Sequence, residues 1–177
     1  MRKKAVLALV PLLICGSLLS IDDAPNKKVT EFLGAPAIAI LKAPDKVECF
    51  RIDPKGGKDG DENTIAGHAI TARGAEQKAE FGSRIATVLF DEHTYNFESA
   101  KMCIFSPGVA FRVWKDKDYV DVLLCFSCDE VEVITPAAKG TDAKPHVAHE
   151  DFDRARGALK KLAQEAFPND AEITKLK

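Results

Sequence analysis

The clearest pattern in the chain is a pair of alternating runs, Val109–Trp114 and Tyr119–Leu124, on either side of the charged stretch Lys115–Asp118. Alternation of apolar and polar residues at a period of two predicts half-buried strands, and the charged stretch predicts the turn that joins them. Folding the chain there sets Val113 opposite Val120, Phe111 opposite Val122 and Val109 opposite Leu124, one wholly apolar face. The other face then carries Trp114 opposite Tyr119 and Arg112 opposite Asp121, an aromatic pair and an opposite-charge pair. A one-residue slip would turn every side chain to the wrong face, so the register is well specified. A second turn at Phe126–Ser127 predicts a third strand, with Val131 opposite Val122 and Val133 opposite Val120. It also sets Glu132 beside Asp121 and Cys125 opposite Cys128, at a Cα separation of about 4.5–5.5 Å that a disulfide can bridge.

The remaining pattern supplies the partners of this meander. Lys46–Asp53 alternates and reads as a strand, with Val47 and Cys49 on one face and Glu48, Phe50 and Ile52 on the other. Pro54–Asn63 is a loop, and Thr64–Thr71 returns as a strand with His68 packed among apolar neighbours. Gly74–Phe90 repeats Phe81, Ile85, Val88 and Leu89 at the helical period, with Gly82 weakening the helix by roughly 1 kcal/mol relative to Ala. Tyr95 and Phe97 are expected to plug back into the core. Asp22–Lys28 reads as a tether, and Glu31–Leu41 as a short strand or helical turn broken by Gly34 and Pro36. Pro136–His149 reads as a linker. A final helix follows, capped by Asp151 or Asp153, with Ala155, Leu159, Leu162, Ala163, Ala166 and Phe167 as its stripe and Pro168 as its end. Asn169 or Asp170 caps one last turn through Ile173 and Leu176. The expected architecture is α+β: an antiparallel meander sheet packed by a central helix and a C-terminal helix.

Residues 1–20 change the picture of where the chain works. Arg2, Lys3 and Lys4 precede an apolar run from Ala5 to Ile14 and the small residues Cys15, Gly16 and Ser17. The run is about half the roughly 20 residues a membrane helix needs, so an export signal is expected, with 21–177 as a single α+β domain. Leu12 and Leu13 fit a lipoprotein signal acylated at Cys15, but Ile14 stands where a small residue is required. A plain cleaved signal is therefore the first expectation and lipidation the alternative. Without the three basic residues of the signal, 22 Lys and Arg stand against 27 Asp and Glu, a net charge of −5. Such a balance argues against a nucleic-acid partner, and a membrane is involved only through the signal or a lipid anchor.

Cys49, Cys103, Cys125 and Cys128 remain after Cys15 is set aside, an even number for an oxidising compartment. Structural disulfides are the first reading. A zinc site drawn from all four is the alternative cofactor, although no second C-x-x-C is present. Thiol-redox chemistry at Cys103, Cys125 and Cys128 is disfavoured by Asp129, Glu130 and Glu132, because nearby acids raise a thiol pKa. Asp129–Glu130 otherwise read as ordinary turn residues. Asp59, Asp61 and Asn63 have the spacing of a calcium loop, but Thr64 and Ile70 replace its Gly and its bidentate acid. His146 and His149 would share a helix face as a metal pair, and a surface loop is the preferred reading. No nucleophile elbow, P-loop or dinucleotide turn is present, so catalysis is not expected.

The stretches LKAPDKVECFRI, KMCIFSPGVAFRVW, DVLLCFSCDEV and FDRARGALKKLAQEAFPND carry a resemblance that spans most of the chain after the signal. In them the chain resembles a family of uncharacterised exported bacterial proteins, of planctomycete type, with a C…CFxC cysteine pattern. The resemblance implies no established activity and points to Cys103, Cys125 and Cys128. The expected function is an exported small binding or structural domain stabilised by its cysteines, with zinc-binding or thiol-redox chemistry as the alternative.

Overall fold

A computed structural model describes residues 25–57, 63–98, 101–138, 140 and 142–177. The segment expected to be an export signal, with Cys15, and the loop residues Asp59 and Asp61 lie outside the described residues. Eight strands form one sheet: β1 (Lys46–Ile52), β2 (Thr64–Ile65), β3 (His68–Arg73), β4 (Gln77–Lys78), β5 (Val109–Lys115), β6 (Asp118–Cys125), β7 (Glu130–Thr135) and β8 (His146–Asp151). Its order is β2-β3-β1-β5-β6-β7-β8, antiparallel throughout, with β4 beside the start of β1. Among the described residues five helices accompany it: α1 (Lys27–Leu33), α2 (Ala35–Lys42), α3 (Ala79–Phe90), α4 (Arg156–Ala166) and α5 (Ala171–Thr174). The architecture is α+β with an antiparallel meander, as the alternation predicts.

The β5–β6 register matches the expected one residue for residue, from Val109 opposite Leu124 to Trp114 opposite Tyr119. Val47, Cys49, Phe111, Val113, Val120, Val122, Val131 and Val133 form one buried face with Phe81, Ile85, Leu89, Leu159 and Leu162 of the helices. The opposite face has a smaller core, built from Phe50, Ile52, Ala110 and Leu123 and closed by Ile65 and Phe105. Ile65 reaches it because Ala66 and Gly67, both at positive φ, fold Thr64–Arg73 into a two-residue hairpin rather than one strand. His68 is packed on β3, with Nδ1 3.0 Å from the Asp53 carbonyl oxygen.

Several boundaries differ from expectation. Lys27–Lys42 is helical: Gly34, at φ 78°, ends α1, and Pro36 opens α2. Asn26 caps α1 by accepting from the Val29 N–H, so the tether stops at residue 26. Residues 74–78 precede α3 rather than belonging to it, because Gln77 and Lys78 pair with Val47 and Lys46. Neither Asp151 nor Asp153 caps the C-terminal helix: Asp151 ends β8 and Asp153 opens a 3₁₀ turn before α4. Asp170 caps α5, accepting from the Glu172 and Ile173 N–H groups, and it also holds Arg51 at 2.8 Å. Arg51 reaches Glu172 at 2.5 Å and donates to the Gly108 carbonyl as well, pinning the end of the chain to β1. Tyr95 is buried, its hydroxyl donating to the Leu89 carbonyl at 2.7 Å, and Phe97 packs beside it.

Arg112 grips Asp121 with both ends of its guanidinium, at 2.7 and 2.9 Å. Its plane lies 4.0 Å from the Tyr119 ring centre, and Trp114 donates to Glu48 at 2.8 Å on the same face. Arg112 is charged at every accessible pH, so Asp121 is the informative partner. Burial pushes the Asp121 carboxyl above its ordinary value against the pull of Arg112. A carboxyl raised in the folded state holds its proton more tightly there, so its contribution to stability is present at acid pH. It is lost as pH rises from the unfolded to the folded pKa.

Arg112→Ala should therefore cost about 3–5 kcal/mol near neutral pH by leaving a buried carboxylate alone. Arg112→Glu should cost more, and the deficit of both should shrink by about pH 4. Denaturant melts at the two pH values check the order and its direction. Gly82 tests the packing of α3, because a Cβ there would meet Pro44 at 2.7 and 2.8 Å. Gly82→Ala should lower thermal stability by about 1 kcal/mol despite its gain in helix propensity, a melting shift of about 2–4 °C.

Candidate functional site

The site begins at the turn between β6 and β7, which has four residues, Phe126–Asp129, instead of two. Asp129 takes positive φ (57°), a conformation Asp tolerates better than most residues. Arg156 fastens the turn, donating to the Phe126 carbonyl at 2.8 Å and pairing with Asp129. The Phe152 N–H reaches the Asp129 carbonyl at 2.6 Å. The longer turn moves the β6–β7 register by two residues. Val133 rather than Val131 lies opposite Val122, Ile134 rather than Glu132 opposite Asp121, and Glu130 rather than Cys128 opposite Cys125. A shift of two leaves each side chain on its expected face, so the apolar underside survives it.

Cys128 is consequently free to bond elsewhere, and its partner is Cys103, at a Cα separation of 6.1 Å. Residues 101–108 are not a strand of the sheet; they form an extended strap across its outer face beside the turn. The Ser106 N–H donates to Cys125 Sγ at 3.4 Å, Ser127 Oγ lies 3.2 Å from the same sulfur, and the Ile104 carbonyl oxygen sits 3.3 Å from Cys128 Sγ. Met102 and Ile104 flank exposed Cys103 and are themselves almost fully exposed. A cleft of about 200 Å³ opens beside the strap, lined by Arg51, Ser106, Phe126, Ser127 and Ile173 among others.

Cys49 and Cys125 are free and buried. They stand on opposite faces of the sheet: Cys49 points with Val47 into the helix-covered core, and Cys125 lies beneath the strap. The four cysteines therefore do not converge as one set of ligands. Burial pushes the Cys49 thiol up to about 12, with Glu165 and Glu48 adding to the shift, so it stays protonated and unreactive near neutral pH. His146 and His149 also part, because β8 is a strand and residues three apart on a strand face opposite ways. Nε2 of His146 lies 2.8 Å from the Phe32 carbonyl oxygen, while the His149 ring packs edge-on to Phe105 at 4.8 Å.

A cluster that the sequence did not bring together lies under the strap. Glu130 and Asp151 are cross-strand partners, each almost fully buried, and Glu132 and His149 are the next pair on the same face. His149 Nε2 is 3.8 Å from Glu130, and its Nδ1 is 3.7 Å from Glu132. Lys101 of the strap donates to the Cys128 carbonyl at 2.6 Å and to Asp153 at 2.8 Å, and stands 3.7 Å from Asp151. One oxygen of Glu130 and one of Asp151 are buried with no hydrogen-bond partner. The signals for this cluster were the acids at Glu130 and Glu132 and the H-x-x-H spacing that contains His149. They carried no weight for it while the turn was read two residues short and β8 was read as linker.

The disulfide closes a loop with a sequence separation of 25. Loop-closure entropy assigns it about 3 kcal/mol, so the double variant Cys103→Ser, Cys128→Ser should melt about 6–12 °C lower. Calorimetry of both proteins without reductant measures the difference.

Among the described residues, no group of three or more His, Cys, Asp and Glu side chains is placed to hold a metal ion, and no helix is long and apolar enough to cross a membrane. No protein-family model matches the chain, and neither the curated proteins nor the solved structures contain a match to it.

Proposed function

We propose that the chain is an exported small domain that binds or scaffolds, and that its cysteines serve its architecture. The Cys103–Cys128 bond carries this reading. A bond with one end in an exposed segment persists in an oxidising compartment, and the basic and apolar start of the chain would deliver it to one. On this reading the domain is secreted, periplasmic or lipid-anchored through Cys15, in keeping with the exported group it resembles. Two further observations favour structure over thiol chemistry: the second pair of cysteines is buried on opposite faces, and burial holds Cys49 in its protonated form. The bond ties the strap to a turn that is already fastened by Arg156, so it orders a surface.

Intact mass with and without reductant, together with metal analysis, tests the reading. The expected outcome is a gain of two hydrogens on reduction, two thiols that react only after unfolding while the bond is intact, and no stoichiometric metal. Four free thiols with bound zinc would replace it with the zinc alternative.

A further inference from the structure

The strap is attached to the domain by few contacts. Beyond the bond at Cys103 they are the Lys101 ammonium, the Ser106 N–H, the partly buried ring of Phe105 against His149, and the strap's anchored end, where Pro107 is buried and Gly108 bonds Leu124, Ile52 and Arg51. Met102 and Ile104 point into solvent and add nothing to its burial. What the closed strap covers is unfavourable to cover. Glu130 and Asp151 face each other across β7 and β8 with one carboxylate oxygen each buried and without a hydrogen bond, that of Glu130 standing 3.8 Å from His149 Nε2. Leaving such a group away from water incurs its desolvation penalty, which access to water would relieve. The disulfide opposes that tendency, and its Cys103 end is exposed to a reductant. The domain beneath is held by contacts that do not involve the strap: the helix-covered core, the Arg51 bonds to Asp170 and Glu172, and the Arg156 clamp on the β6–β7 turn.

We propose that the Cys103–Cys128 bond is a redox latch on this strap. A dithiol reductant transfers two electrons to the bond; each sulfur leaves as a thiol after taking up a proton, and the reductant becomes its own disulfide. The strap then lifts from the β6–β7 turn. Cys125 loses the Ser106 N–H that covers it, and the Glu130 and Asp151 carboxylates meet water, while the sheet and helices stay folded. Local opening with an intact remainder is the behaviour of a segment with little burial of its own. The latch rests on the bond rather than on export. An intact mass without the bond would remove the proposed function as well; a bond that forms without controlling Cys125 would remove only the latch.

Native-state alkylation read by site-resolved mass spectrometry tests it, with Cys49 as an internal reporter of global opening. In the oxidised protein iodoacetamide should label none of Cys49, Cys103, Cys125 and Cys128. After dithiothreitol without denaturant, Cys103 and Cys128 should label, and Cys125 should react roughly tenfold faster or more than before while Cys49 stays protected. Cys125 remaining as protected as Cys49 would overturn the latch, and so would labelling of Cys49 and Cys125 together at one rate. The variant Cys103→Ser, Cys128→Ser gives the same reading without reductant. Rapid Cys125 labelling with a native far-UV spectrum supports the latch. Loss of that spectrum overturns it, because the bond would then be holding the whole domain.

Discussion

The structure depends on one continuous apolar underside. Val47, Phe111, Val113, Val120, Val122, Val131 and Val133 come from four neighbouring strands and lie under α2, α3 and α4 in a single core. Each strand contributes at a period of two, and each is antiparallel to its neighbour, so the apolar positions stack across the sheet without a break. Burial of this kind scales with the apolar area removed from water and dominates the free energy of folding. The helices lie where they can cover that face. Gly82 has no side chain because Pro44 and Val47 occupy the space a Cβ would need.

The outer face follows different physics. Its centre has a small apolar core around Leu123, but its flanks carry charge: Glu48, Arg112 and Asp121 on one side, Glu130, Glu132, His149 and Asp151 on the other. Where a cation reaches a carboxylate with two good hydrogen bonds, as Arg112 does, the charge is accommodated even though burial raises the Asp121 pKa. Under the strap the geometry is looser, with ion-pair separations of 3.7–3.8 Å and two oxygens without partners. The two flanks thus differ in how completely their buried charge is satisfied, and the strap covers the less satisfied one.

How much could be read from the sequence followed from how local each constraint is. The β5–β6 register was legible to the residue, since the charged stretch Lys115–Asp118 and two alternating runs admit one register, although the strands run on through Lys115 and Asp118 and leave a turn of two. The β6–β7 register was legible only in its face, because a two-residue and a four-residue turn preserve the same alternation. What chooses between them is Arg156, which grips the turn from 27 positions away. The pairing of Cys128 with Cys103 followed from that choice. β8 was missed because HVAHED lacks the apolar alternation of a two-sided strand; as an edge strand it buries little beyond Ala148 and Asp151. The helices α1 and α2 were obscured by Gly34 and Pro36, which mark the junction between two helices and not the interruption of one element.

The Arg51 clamp has a bearing on the order in which this chain can be completed. Asp170 caps α5 and binds Arg51 across 119 positions, and β1 finds its neighbour β5 only after α3 and the segment that follows it have been made. An early strand is thus closed by a late strand and secured by the last turn of the chain. Contacts of such long separation pay their loop-closure entropy before they return any stabilisation, so they form late. A ribosome releasing residues in sequence would let β1 pair early with β3, but would leave its β5 edge open until α3 and the segment after it are made. The Arg51 side of the sheet is therefore the last part of this fold to be fastened, because its anchors Asp170 and Glu172 lie at the final helix.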